Sequence, residues 1–74
     1  MFNELLFSTQ FLWEGKCYLM HIYRHVPVQK RYSHMAATTL APGDTIISDG
    51  RSVEEVLQKQ QDILPLAILS RSIL

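Results

Sequence analysis

Cysteine is nearly absent from this 74-residue chain. One thiol, Cys17, cannot close an internal disulfide, so the fold stands without covalent staples. Glycine and proline number three each, which excludes a collagen repeat, a flexible linker or a disordered tail. Net charge is also missing: seven Lys and Arg balance seven Asp and Glu, so no global field draws the chain to nucleic acid or an anionic membrane. The longest nearly apolar run, Ile63 to Leu69, falls far short of the roughly 20 residues of a membrane span. The first residues, Met1-Phe2-Asn3-Glu4-Leu5-Leu6, place an acid where a secretory signal wants Lys or Arg. The expectation is one cytoplasmic domain covering residues 1–74, with no membrane contact. A core this small buries only about 60% of its unfolded surface, so a partner or second copy would add much to its stability.

What is present is pattern. Leu5, Phe7, Thr9, Phe11 and Trp13 alternate with Leu6, Ser8, Gln10 and Leu12, the period of a strand with one aromatic-rich face. Glu14-Gly15-Lys16 interrupts, and the glycine supplies a positive φ for a hairpin. Cys17 to Val26 resumes as a second strand until Pro27, which has no N–H for a ladder. Tyr32 to Leu40 reads as a third strand. Ala41-Pro42-Gly43-Asp44 is a turn, Thr45-Ile46-Ile47 a very short fourth strand, and Ser48-Asp49-Gly50 another turn.

At Ser52 the period becomes 3.6. Ser52-Val53-Glu54-Glu55 has the pattern of a capping box, and both carboxylates suit the positive helix end. Val53, Val56, Leu57 and Leu64 form an apolar stripe with Gln60 as a polar gap. The expected helix runs from about Ser52 to Ile63 and stops near Leu64, ahead of Pro65. Leu66 to Ile73, with β-branched Ile68 and Ile73, reads as a final strand. The expected fold is therefore α+β in the order βββ(β)αβ: a small antiparallel sheet of four to five strands with one helix on one face.

One helix covers one face. On the second strand Cys17, Leu19 and Tyr23 face opposite Tyr18, Met20 and Ile22, so both sides look apolar. The leading reading is a non-enzymatic interaction module that forms a homodimer through a sheet face or an edge strand. Its partner-binding candidates are Tyr18, Leu19, Tyr23 and Ile68.

Other groups of residues point to other chemistry. Cys17, His21 and His25 share a parity, with His34 on the next strand, and imidazole and thiolate are zinc ligands. Residues i and i+4 on a strand lie about 13 Å apart, too far to share one ion, so no metal and no cofactor is assigned. Cys17 has no adjacent base and reads as a small apolar residue rather than a nucleophile. No acid occurs between Gly15 and Gly43, where Arg24, Lys30, Arg31 and Tyr32 are the parts of a single-stranded nucleic-acid platform, the alternative reading. A solvated strand edge explains the same residues. Asp49-Gly50-Arg51-Ser52 reads as a turn and cap rather than an anion site, and Asp44 with Asp49 as turn formers rather than a catalytic pair. No catalytic residues are assigned: so short a chain seldom buries both a core and a preorganised site.

Pro42-Gly43-Asp44, followed by Ile47-Ser48-Asp49-Gly50-Arg51-Ser52-Val53-Glu54-Glu55-Val56-Leu57, resembles the HicB-like antitoxins over about residues 42–66. In those proteins a Pro-Gly turn and a short strand lead into a helix opening with Ser or Thr and a Glu-Glu pair. The Cys common after that family's Pro-Gly is Asp44 here. The resemblance implies a hairpin-led sheet under one helix and an antitoxin-like role.

Overall fold

The computed structural model describes residues 2–26 and 32–72. Four strands, β1 (Phe2–Trp13), β2 (Lys16–Val26), β3 (His34–Ala41) and β4 (Asp44–Gly50), form an antiparallel sheet in the order β1-β2-β3-β4. One helix, α1 (Val53–Ser72), follows. The architecture is α+β. Β-strand β1 has 12 residues, which at about 3.3 Å each nearly accounts for the molecule's 39 Å long axis. The radius of gyration, 12.6 Å, exceeds the roughly 11.3 Å of a compact chain of this length.

Two turns set the registers. Glu14 and Gly15 both have positive φ, 48° and 79°, which makes a two-residue type I′ hairpin closed by Trp13 and Lys16. The β3–β4 connection is Pro42-Gly43, with Gly43 at φ 78° in the position that a Pro-Gly type II turn requires. Such a turn matches the strand twist less well, and the register shifts between Thr39 and Ala41 beside it.

The core is small: Met20, Ile22, Ala36, Val56 and Leu64, flanked by Phe11, Leu40, Ile46, Val53, Leu57 and Ile68. Helix α1 packs chiefly on β3 and β4. Ser52 caps it by accepting the Glu55 amide at 3.1 Å. Entry is tight, because a Cβ at Gly50 would lie 2.8 Å from Glu55 Oε1 and 2.9 Å from Val56 Cγ1.

Three expectations are corrected. Among the described residues there is no final strand: Leu66 to Ser72 continue α1, and Pro65 lies inside it. Proline in a helix interior costs about 3 kcal/mol or more. Tertiary anchors on either side hold the last two turns: Leu64 and Ala67 are buried, Ile68 packs on the core, and Arg71 grips Asp44. Β-strand β4 is longer than expected, since Ser48, Asp49 and Gly50 pair with Ala36, Met35 and His34 instead of turning. The third strand begins at His34, with Tyr32 outside it. The break expected at Pro27, with Lys30 and Arg31, lies outside the described residues.

Candidate functional site

Pleating sorts the strand residues onto two faces. Tyr18, Met20, Ile22 and Arg24 of β2 share the helix side with Ala36, Thr38, Ile46 and Ser48. The opposite face, which no element of the described chain covers, is built row by row. Ser8, His21, Ala37 and Ile47 make one row, and Leu5, Tyr23, Met35 and Asp49 the next. Gln10 stands opposite Leu19, Leu12 opposite Cys17, Asn3 opposite His25, and Thr39 opposite Thr45.

Leu5 reaches this face because the register of β1 shifts between Leu5 and Phe7. Strict alternation had put it with Phe7 and Phe11. A bulge reverses parity, and nothing in the local sequence announces it.

The open face is apolar at its centre and almost uncharged. Leu5, Leu19 and Ile47 are each more than half exposed, and Leu12 is 72% exposed. Among the described residues on this face there is one carboxylate, Asp49 on the outer strand, and no Lys or Arg. The polar groups are largely bonded to one another. Ser8 Oγ bonds His21 Nδ1 at 2.6 Å, His25 Nδ1 donates to Asn3 Oδ1 at 2.6 Å, and Thr39 bonds Thr45 at 3.1 Å. His25 Nε2 lies 3.7 Å from Asp49 Oδ1, and the His21 and Tyr23 rings sit 6.2 Å apart. A solvated antiparallel face ordinarily alternates toward Lys, Glu and Arg. This one does not.

The sequence-level candidates divide. Leu19 and Tyr23 lie on the open face, as their parity required. Tyr18 lies on the helix side, and Ile68, on α1 rather than a strand, lies beside it; both line an open cleft of about 240 Å³ with Lys16, Leu40, Asp44 and Arg71. His34 does not join His21 and His25, because it pairs with Arg24 on the helix side and bonds Ser33 Oγ at 2.7 Å. Among the described residues no group of three His, Cys, Asp or Glu side chains is placed to hold a metal ion. Cys17 is exposed opposite Leu12. Of the candidate nucleic-acid residues, Arg24 is paired with Glu4 on the face opposite Tyr23, and Tyr32 is exposed in the segment before β3.

Gln60, read as a gap in the helix stripe, is fully buried. Its Oε1 accepts from Thr38 Oγ1 at 2.8 Å, and its Nε2 donates to Ser48 Oγ at 3.0 Å, Ile46 O at 3.1 Å and Ala36 O at 3.4 Å. This network fixes where the helix sits on the sheet, and so which face stays open. At the other end Arg71 holds Asp44 with two bonds, Nε to Oδ2 at 2.6 Å and Nη2 to Oδ1 at 2.9 Å. That hydrogen bonding, opposed by partial desolvation and assisted by the guanidinium charge, holds the Asp44 carboxyl below the usual carboxylate range.

No family model, no curated protein and no solved structure matches this chain. Among the described residues no helix is long and apolar enough to cross a membrane.

Proposed function

We propose that this chain is a small non-enzymatic interaction module that pairs with a second copy of itself through the helix-free face of the sheet. The observation that carries the reading is the segregation of charge. Every described Lys and Arg lies off that face, while Leu5, Leu12, Leu19 and Ile47 stand exposed on it. Leaving such a face in water forfeits the hydrophobic free energy that covering it would recover, about 25 cal/mol per Å² of apolar surface.

The area suits a dimer. Four strands spaced about 4.8 Å apart, with these lengths, give roughly 600 Å² of projected face. A specific interface needs about 500 Å² or more from each partner. The chain's accessible surface is 5153 Å², against roughly 4,700 Å² for a compact monomer of this mass.

The self-complementary character of the face favours a second copy as the occupant. A two-fold contact sets each patch against itself, so like charges would meet wherever a patch carried them. Here the single carboxylate among the described residues of the face lies on the outer strand beside His25, and the whole chain has zero formal net charge. Sheets packed this way stand about 10 Å apart, with side chains such as Leu19 and Tyr23 interdigitated.

The test is light scattering on a sizing column at high micromolar concentration, with wild type and Leu19→Glu compared and far-UV circular dichroism checking that both are folded. A wild-type mass that is a multiple of the chain mass, halved by Leu19→Glu, supports the reading. A folded wild-type monomer, or a multimer indifferent to Leu19→Glu, overturns it.

A further inference from the structure

The two edges of the sheet are built differently. At one edge β4 has seven residues, carries Asp49 besides the Arg71-bound Asp44, and has its Asp49 carbonyl taken by Lys59 Nζ at 2.7 Å. Charges, shortness and occupied backbone groups are the usual protections of an edge strand. Β-strand β1, at the other edge, has 12 residues with no Lys, Arg or Pro, and its one charge, Glu4, is tied to Arg24. From Phe7 to Trp13 it carries no charge at all.

Its free backbone groups can be assigned. The two-residue type I′ turn makes Trp13 and Lys16 a hydrogen-bonded pair, so Phe11, Thr9 and Phe7 bond inward to β2. Leu12, Gln10 and Ser8 therefore direct N–H and C=O outward. The helix side of this strand is apolar, with Phe7 and Trp13 partly exposed and Trp13 stacked on Phe11, ring centroids 6.3 Å apart.

We propose that β1 pairs antiparallel with β1 of a second copy over Phe7 to Trp13, joining two four-stranded sheets into one of eight strands. Three things favour that occupant. An antiparallel pair of identical strands closes on its own two-fold axis. It sets the Phe7, Phe11 and Trp13 row beside the same row, giving cross-strand aromatic contacts. The register shift at Leu5 to Phe7 ends the flat segment, which confines the pairing to this stretch.

The axis of this contact is normal to the sheet, so both helix-free faces stay on one side. The face-to-face axis lies between sheets, perpendicular to it. Together they close into a tetramer with three mutually perpendicular two-folds. The edge contact stands on its own geometry, whereas the closed tetramer also rests on the face-to-face reading.

The experiment is sedimentation velocity on wild type, Gln10→Pro, Gln10→Ala and Leu19→Glu, each checked for folding by circular dichroism. Gln10→Pro removes an outward N–H without taking a bond from β2, and Gln10→Ala removes the same side chain but keeps the donor. The expected result is a wild-type tetramer, halved in mass by Gln10→Pro and by Leu19→Glu, and unchanged by Gln10→Ala. If Leu19→Glu halves the mass and Gln10→Pro leaves it unchanged, the edge proposal is overturned and the face reading stands. The reverse pattern supports the edge and overturns the face. A folded wild-type monomer overturns both.

Discussion

The Thr38 hydroxyl donates to Gln60 Oε1 at 2.8 Å, and neither residue is exposed to solvent. That one bond joins the third strand to the middle of the helix inside an otherwise apolar core. It is also the point at which the two-layer packing has a unique register, because Gln60 finds its remaining partners only on β3 and β4. Truncation should therefore be costly. Gln60→Ala removes packing and strands the Thr38 hydroxyl, and is expected to lose about 2–4 kcal/mol in urea unfolding. Thr38→Val with Gln60→Leu replaces both partners by apolar groups of similar shape and should recover at least half of that loss. Additive losses in the double variant would contradict a coupled pair.

The Asp44–Arg71 pair makes a pH prediction. Asp44 is held below its ordinary carboxylate value, so the folded chain binds that proton more weakly than the unfolded chain. Its contribution is complete above about pH 3.9 and is lost as pH falls through the lowered folded value. Protection of the Ala67 to Ser72 amides, relative to their intrinsic exchange, should fall at the acid end of that window, and Asp44→Asn should show the lower protection already at neutral pH. Equal protection in variant and wild type at neutral pH would show that the pair does not hold the helix end.

Pro65 makes a third. It lies inside α1 while Leu64 and Ala67 on either side are buried. Pro65→Ala restores a helical N–H and lifts the ring's clash, partly offset by a freer unfolded chain. The expected net gain is about 1–2 kcal/mol in urea unfolding. A loss would mean that the ring's own packing outweighs the backbone term.

These three sites also mark how far the sequence was legible. The hairpin at Glu14-Gly15, the Pro42-Gly43 turn and the Ser52 cap were readable because each rests on local chemistry: a positive φ, a fixed φ, a side-chain oxygen near free amides. The helix end was not, because Arg71 and Asp44 are 27 residues apart and their bond has no local sign. Gln60 read as a gap because its partners come from two strands that only the fold assembles. Leu5 was placed on the wrong face, and the face of His34 was not legible, for a related reason. A bulge or an unknown loop register inverts parity, and parity is all that a strand pattern supplies. Leu19 and Tyr23, on the regular strand β2 with no bulge between them, kept theirs.

The most direct measurement is sedimentation equilibrium of the unmodified chain from low to high micromolar concentration. A mass rising to a multiple of 8.5 kDa is the expected result, with the plateau mass halved by Leu19→Glu. A folded species that stays at 8.5 kDa throughout would show that this almost uncharged sheet face is stable in water without a second copy.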